Sequence, residues 1–397
     1  MNDTASLGAR RRFPTAAAHG ELARVMLAFL ATAGLFYVNI MPALVDGLIE
    51  GLGFSNRDAG LVGSANVYGA AAGALGAVFL VKHIPWRSTS VALLLVLMAL
   101  DWLSITVESP TLLIALRFIH GVVGGTLVGV GFAVISRTQE ADRTFGYLLT
   151  VQFGLGGLGL LYLPGLVPEF GTAALFLSLV AFSAVTLLMV PFLDDYPPRS
   201  EETQTMSTGR IARGPLIMAL LGTFLFQAAN MGIYAYLIGM GRDFGLETPF
   251  ISHVLGVAAW IAIAGSVAVI ILSTRYGRML PLGVGILFTI AGTWILHYSD
   301  IKLMFWIANV GVGITWAFVI SYLLGMCSEF DEHGQTAALG GFASKMGLAS
   351  GPLVAALVVG ENNYGLLINL AIIALIAGWL VILQPARQLD QGQRLTD

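Results

Sequence analysis

Long apolar stretches recur along the chain and indicate its helices. Each holds about twenty residues nearly free of charge, the length that an α-helix needs to cross the hydrocarbon core of a bilayer. A helix satisfies its own backbone hydrogen bonds, so such stretches favour helices over open sheets in a membrane. We predict twelve membrane helices, at roughly residues 22–46, 58–81, 89–107, 111–136, 145–167, 172–193, 215–240, 249–274, 280–298, 303–327, 336–360 and 364–383.

Composition supports a polytopic membrane protein. Hydrophobic residues make up 57% of the sequence and charged residues 11%, which is about half the charged fraction of a soluble domain. The 48 glycines fit membrane helices that pack closely through small residues. The single cysteine, Cys327, excludes a disulfide framework and a thiolate metal cluster.

One polar segment divides the chain into two halves. Residues 194–214 contain Pro197-Pro198 and a run of polar side chains. We therefore predict an N-terminal tail over 1–21, a six-helix bundle over 22–193, a linker over 194–214, a second six-helix bundle over 215–384 and a C-terminal tail over 385–397.

The placement of Lys and Arg predicts the topology, because positive loops stay in the cytoplasm. With the N-terminus inside, only Arg57, Arg242 and Lys302 fall on the opposite side, and Arg117 and Lys345 fall inside apolar spans. The other basic residues are cytoplasmic, which predicts a multi-pass protein of a bacterial-type inner membrane with both termini in the cytoplasm. The arginines at 10–12 are interpreted as a topology anchor, since a complete span and eleven more follow them.

Local motifs resemble those of the major facilitator superfamily. Arg275, Gly277 and Arg278 follow the eighth helix as in the superfamily's D-R-x-G-R loop, with Thr274 in the Asp position. The segment from Arg117 through His120 to Gly124 is similar to its R-x-x-Q-G segment. The resemblance covers about residues 20 to 385. It implies two pseudo-symmetric six-helix bundles, secondary active transport by alternating access, and a gating role for Arg275, Gly277 and Arg278.

The loop after the second helix departs from the pattern. Lys82, His83 and Arg87 occupy it without an Asp or a Gly-Arg pair. In the superfamily that loop's carboxylate and arginines help to lock one gating state, so the departure leaves the lock open to question here.

An internal repeat is visible in the second and eighth helices. Tyr68 lies five residues before Gly73, and Trp260 lies five residues before Gly265. Two halves related by a pseudo-twofold axis would bring Tyr68 and Trp260 to face each other across a central cavity. The alternative is that both aromatics face lipid or the membrane interface.

Two opposite charges lie inside neighbouring apolar spans. Asp101 and Arg117 are each about six residues from the outer ends of their helices, roughly 9 Å below the surface. An intramembrane charge is costly unless it is paired or hydrated, so we predict an ion pair between the third and fourth helices. The pair is either a static bridge or a switch that opens during transport.

Lys345 is the deepest positive charge. It lies about ten residues into the eleventh helix, and no carboxylate is predicted at the same depth. An anionic substrate would complete this charge, as in organic-anion members of the superfamily that carry a lysine in this helix. The alternative is a structural lysine satisfied by carbonyl groups.

Two further residues are candidates for proton coupling. Asp46 lies at the end of the first helix, where it could carry a proton or form an ordinary polar cap. His120 lies one turn from Arg117 and could relay a proton or simply be hydrogen-bonded.

Polar residues within the apolar spans form the candidate substrate site. Gln227, Asn230 and Tyr234 are spaced to share one face of the seventh helix, and a polar face must contact protein or water inside a membrane. We predict a substrate-binding set made of Lys345, Gln227, Asn230, Tyr234, Asn39, Tyr68, Trp260, Asn309 and Trp316. Aromatics, amides and a spare positive charge favour a small amphipathic or aromatic carboxylate, and interhelix hydrogen bonding is the alternative role for the polar members.

The predicted function is therefore transport of a small organic anion by a monomer, and the resemblance to the superfamily implies coupling to protons. The substrate, the lipid bilayer and protons are its predicted partners. Three other functions remain open: efflux of amphipathic drugs or metabolites, copper import through methionines, and a non-transporting assembly factor or sensor. The sequence has no P-loop and no hydrolase motif. We predict no enzyme activity, no cofactor, no metal site and no nucleic-acid binding.

Overall fold

The computed structural model describes residues 15–18, 20–81, 84–138, 140–197, 213–272, 275–330, 335–360 and 362–392. Its fold is all-α, with twelve membrane helices in two halves. Eleven helices of the described residues are long and apolar enough to cross a membrane. Helix 1 is the twelfth and is broken into shorter segments. The predicted fold class is confirmed, while the linker from residue 198 to residue 212 lies outside the described residues.

The N-terminal half contains helices 1 to 6. Helix 1 comprises Glu21–Ala33, Phe36–Asn39 and Met41–Leu52; helices 2 to 6 are Asn56–Leu80, Trp86–Ile105, Pro110–Ile135, Ala141–Phe170 and Ala173–Met189. A 3-10 turn over Val190–Phe192 follows helix 6. Helix 1 runs past its predicted end at residue 46, because the chain stays helical until Gly53 adopts a positive φ of 67° at the C-cap.

The C-terminal half contains helices 7 to 12. Helix 7 comprises Arg213–Ala235 and Leu237–Asp243, and helix 8 comprises Thr248–Ile261 and Ile263–Leu272; helices 9 to 12 are Met279–Ile295, Lys302–Ser328, Gln335–Val358 and Tyr364–Asp390. A 3-10 turn over Leu296–Tyr298 extends helix 9. Helix 12 was predicted to end at residue 383, but it continues through Pro385 to Asp390.

Close helix packing supports the internal repeat. A side chain at Gly73 of helix 2 would collide with the Val122 carbonyl of helix 4, and one at Gly265 of helix 8 would collide with the Ile314 carbonyl of helix 10. Glycine is required at both positions because no Cβ fits between backbones this close. The two halves therefore repeat the same helix pair.

The end of the bundle where helix 1 leads into helix 2 is termed the distal end. The two halves contact each other from the middle of the bundle to this distal end. Asn56 Nδ2 donates to the Gly360 carbonyl and to Asn362 Oδ1, each at 3.0 Å. Tyr236 Oη donates to the Asn56 carbonyl at 2.6 Å. The opposite end, where Glu21 and Asp390 lie, is termed the terminal end. The hydrogen bonds and ion pairs seen between described residues of the two halves thus close the distal end.

Candidate solute-binding cavity and buried charges

A cavity of about 280 Å³ lies between the halves. Its wall includes five amide side chains, those of Asn39, Gln152, Gln227, Asn230 and Asn309. The aromatic rings of Tyr234 and Trp316 complete its polar part, and apolar residues that include Phe153 fill the rest. Within the described residues, no Asp, Glu, Lys, Arg or His belongs to this lining.

Six residues of the predicted substrate set meet in the cavity wall. They are Asn39, Gln227, Asn230, Tyr234, Asn309 and Trp316. Helices 1, 7 and 10 supply them, because the polar face of helix 7 turns inward between the halves. The structure thus brings together the four amides of the set and two of its four aromatic residues. Their role in binding stays a prediction.

A hydrogen-bonded chain fixes the side of the cavity formed by helices 7, 10 and 11. Trp316 Nε1 donates to Gln227 Oε1 at 2.6 Å, and Gln227 Nε2 donates to Ser344 Oγ at 2.7 Å. The Tyr234 and Trp316 rings meet edge to face with centroids 5.6 Å apart. Ser344 was not predicted, since a single serine in an apolar helix carries no distinctive pattern.

Two asparagines of the cavity use the same local hydrogen bond. Asn230 Nδ2 donates to the Phe226 carbonyl at 2.8 Å, and Asn309 Nδ2 donates to the Phe305 carbonyl at 2.8 Å. A buried amide in a helix commonly satisfies the carbonyl four residues earlier in this way. Asn230 Oδ1 is buried without a hydrogen-bond partner.

Tyr68 and Trp260 do not face each other across the cavity, so that prediction is wrong. Tyr68 Oη lies 2.7 Å from Ser350 Oγ on helix 11, and Trp260 Nε1 donates to the Gly154 carbonyl on helix 5 at 3.0 Å. Each side chain crosses to the other half at a separate contact, because the pseudo-twofold axis relates the helix 2–helix 11 contact to the helix 5–helix 8 contact. Neither residue belongs to the cavity lining.

The predicted ion pair between helices 3 and 4 is present. Arg117 Nη1 lies 2.7 Å from Asp101 Oδ1, and both side chains are almost completely buried. Arg117 also donates to the Leu100 carbonyl at 3.1 Å and to Ser104 Oγ. Its guanidinium lies 5.0 Å from the ring centroid of Phe176, so hydrogen bonds and a cation–π contact compensate for the lost hydration.

His120 joins this buried pair as a hydrogen-bonding partner. Asn66 Nδ2 lies 3.2 Å from the Arg117 carbonyl, which can only accept, and 2.8 Å from His120 Nδ1. His120 Nδ1 therefore accepts, and the ring proton lies on Nε2, 3.1 Å from Asp101 Oδ1. The arrangement holds a neutral imidazole, whereas a role as proton relay stays a prediction.

Lys345 lies next to Ser344 but outside the cavity lining. Its side chain is partly buried, and no described residue forms an ion pair or hydrogen bond with its ammonium group. The predicted juxtaposition of Lys345 with the amides of helix 7 is therefore not present in the lining of this cavity.

Asp46 pairs across the two halves. Arg242 Nη2 contacts Asp46 Oδ1, and Arg242 Nη1 lies 2.7 Å from Glu50 Oε1. Asp46 follows the helix break at Ile40 by six residues, as Arg242 follows the break at Tyr236. The pair links equivalent positions of the repeat, so Asp46 is not a simple polar cap. Sequence reasoning missed Arg242, because its partner lies in the other half.

The predicted gating loop is bound within the C-terminal half. Asp390 Oδ1 accepts from the Arg278 backbone N–H at 2.7 Å, and Asp390 Oδ2 accepts from Met279 N–H at 2.9 Å. Arg278 Nη2 lies 2.5 Å from Glu329 Oε1. Gly277 has a φ of 70°, which favours glycine, while Arg275 is exposed. Asp390 thus supplies the loop with a carboxylate, and it was missed because residues after 384 were predicted to be a tail.

Comparisons with known proteins identify the family. The family model of the Major Facilitator Superfamily matches residues 25–352. The chain belongs to this superfamily, and its fold is that of a transporter. No curated protein is significantly similar to the chain in sequence.

Solved transporters share this fold. The crystal structure of the nucleoside transporter NupG is similar with a TM-score of 0.72 and 14% identity, over 93% of this chain and 99% of that chain. An aspartate-to-alanine mutant of NupG has a TM-score of 0.72 and 12% identity, over 92% and 99%. At these identities the likeness is one of fold.

Proposed function

We propose that the protein is a secondary active transporter for a small uncharged organic solute that combines a planar ring with hydrogen-bonding groups. The observation that carries this proposal is the cavity between the halves, whose wall combines five amides, Tyr234 and Trp316 without a charged side chain among the described residues. Solute sites in proteins are mostly apolar with a few placed polar groups. This wall suits an uncharged solute better than an ion.

Alternating access is the proposed mechanism. The halves are joined at the distal end by Asn56, Tyr236 and the Arg242 ion pairs, so this state loads solute from the terminal end. Rocking of the halves about the midplane site would break these contacts and expose the cavity on the other side. The distribution of Lys and Arg favours a cytoplasmic terminal end in a bacterial-type inner membrane.

We propose the proton gradient as the energy source, on the resemblance to proton-coupled members of the superfamily. Asp46 is the proposed proton carrier, because it is the buried carboxylate whose ion pair joins the two halves. Protonation of Asp46 would remove its charge and weaken its attraction to Arg242. Asp101 is less suited, since its partners Arg117 and His120 belong to its own half.

Transport of an organic anion is the second candidate. Lys345 favours it, since its ammonium group has no partner among the described residues and an unpaired charge inside a membrane protein commonly marks a substrate path.

Uptake into proteoliposomes with an imposed pH gradient tests both candidates. Uridine, 4-hydroxybenzamide and 4-hydroxybenzoate serve as probes: the first is a nucleoside, as transported by NupG, and the other two differ mainly in charge. We expect accumulation of an uncharged probe, abolished by collapse of the gradient. Uptake of 4-hydroxybenzoate alone, lost in Lys345→Gln, would favour the anion instead. Absence of uptake for all three probes would count against both.

A further inference from the structure

We infer that the cavity wall built by the C-terminal half selects solutes that donate hydrogen bonds, through the side-chain carbonyl oxygens of Asn230 and Asn309. This inference rests on the proposed function and adds the hydrogen-bonding character of the solute. It assigns the selection to helices 7 and 10, which carry the two asparagines.

The orientation of both amides follows from their partners. A backbone carbonyl only accepts hydrogen bonds, so the atom that faces the Phe226 carbonyl in Asn230, and the Phe305 carbonyl in Asn309, must be the amide nitrogen. Both contacts measure 2.8 Å. Each Oδ1 is therefore turned away from its own helix backbone.

Neither carbonyl oxygen has a donor within the described residues. Asn230 is 4% exposed and its Oδ1 is buried without a partner, while Asn309 is 7% exposed and its recorded hydrogen bond uses Nδ2. An unsatisfied buried acceptor is destabilising. A solute N–H or O–H group that reaches either oxygen would satisfy it.

The indole N–H and the tyrosine hydroxyl of this wall each have one hydrogen to donate, and both already donate it to protein groups. The Trp316 indole N–H is bound to Gln227 Oε1, and the Tyr234 hydroxyl donates to the Asn39 carbonyl at 2.8 Å. One N–H on each amide nitrogen remains. A carboxylate presents only acceptors, so it would leave both asparagine oxygens unpaired and would meet no cation in the described lining.

The opposite wall is adaptable. Asn39 and Gln152 of the N-terminal half line the cavity, and neither side-chain amide has a hydrogen-bond partner within the part of the chain that the structure describes. Each amide offers a donor and an acceptor. The N-terminal half therefore accommodates varied groups, while the two asparagine oxygens of the C-terminal half favour a donor.

Matched probes test the requirement on the purified full-length protein. Uridine is compared with N3,5′-O-dimethyl-2′,3′-dideoxyuridine, 4-hydroxybenzamide with N,N-dimethyl-4-methoxybenzamide, and 4-hydroxybenzamide with 4-hydroxybenzoate. Binding is followed by tryptophan fluorescence, because Trp316 lies in the wall, and by thermal stabilisation. We expect the donor-bearing member of at least one methylated pair to bind at least tenfold more tightly, and 4-hydroxybenzamide to bind more tightly than 4-hydroxybenzoate.

Variants locate the effect. Asn230→Leu and Asn309→Leu should reduce the preference for the donor-bearing member of a pair at least threefold, whereas the control Asn369→Leu, on the exposed distal part of helix 12, should retain it. The preference is the ratio of the affinities for the two members of a pair. When both are measured on one preparation, this ratio does not depend on the folded fraction of the protein. Any of four results would overturn the inference. They are equal binding within every pair, tighter binding of 4-hydroxybenzoate than of 4-hydroxybenzamide, no binding of any donor-bearing probe, and an unchanged preference in both variants. Uptake of any probe in proteoliposomes would still support transport in each case.

Discussion

Arg117 and Lys345 are both cations inside membrane helices, yet their surroundings differ completely. Arg117 in the N-terminal half contacts Asp101, Ser104, the Leu100 carbonyl and the Phe176 ring. Lys345 in the C-terminal half has no ion pair or hydrogen bond to any described residue. A cation that has all its partners within one half stabilises that half, whereas a cation without partners is free to meet a solute.

This comparison also separates the two walls of the cavity. The buried charges of helices 3 and 4 lie behind helix 1, and Tyr37, whose ring centroid is 5.8 Å from the Arg117 guanidinium, adjoins the lining residues Val38 and Asn39. The C-terminal half instead exposes amides and rings to the cavity. The buried ion pair of the N-terminal half thus lies outside the cavity lining, and the lining residues of both halves that the structure describes are uncharged.

Removal of the Arg117 charge should have the largest effect. Arg117→Met leaves Asp101 buried without its cationic partner and with only the His120 ring N–H beside it, and breaking a buried pair in this way costs about 3–5 kcal/mol. We expect strong destabilisation, measured by thermal and denaturant unfolding in detergent. The double variant Asp101→Asn with Arg117→Met should recover much of the loss, because no buried charge remains. Equal stability of Arg117→Met and the wild type would contradict the structural role.

Loss of Arg242 should shift the balance between the two access states. Arg242→Gln removes the ion pairs to Asp46 and Glu50, and hydrogen bonds to charged groups are worth about 1.5–3 kcal/mol. We expect a larger population that is open at the distal end. Spin labels at the exposed positions Arg57 and Glu247, one in each half, should report longer distances. In the protein without labels, Arg57→Gln is the matched control, and its effect is measured by uptake. An unchanged distance distribution in Arg242→Gln would argue against the idea that the Arg242 ion pairs hold the distal end closed.

Asp390 should have a moderate effect on the C-terminal half alone. Asp390→Ala removes the carboxylate that accepts from Arg278 and Met279 at the start of helix 9, and loss of such a cap costs about 1 kcal/mol. We expect a lower Tm and faster hydrogen exchange in the first turn of helix 9. Exchange in helices 3 and 4 should not change, and a change spread over both halves would refute the local capping role.

Removal of Lys345 should cost the least stability. Lys345→Met removes no described partner and deletes an intramembrane charge, so the free energy of unfolding should not fall below that of the wild type. Together with Arg117→Met, this variant sharpens the comparison between the two cations. A loss as large as that of Arg117→Met would mean that Lys345 has a structural partner, and it would remove the support for an anion.

Apolar periodicity was sufficient to predict the helices, because a membrane helix must hide its backbone and expose apolar side chains whatever it packs against. The Asp101–Arg117 pair was also predicted, because both residues lie at the same depth below the outer membrane surface and belong to adjacent helices. The pattern failed at helix 12, which was predicted to end at residue 383. The helix continues because Asp390 in its last turn binds the start of helix 9.

By itself, the sequence determined that twelve apolar spans form two repeated bundles, since the bilayer constrains helix length and charge position without reference to neighbours. Only the tertiary structure decided which polar groups meet. Asp46 and Arg242 lie almost two hundred residues apart in the chain, and Gln227, Trp316 and Ser344 come from three helices. Such contacts depend on how the helices cross and how each is rotated about its axis. In a helix that is apolar on every side, hydropathy carries almost no information about this rotation.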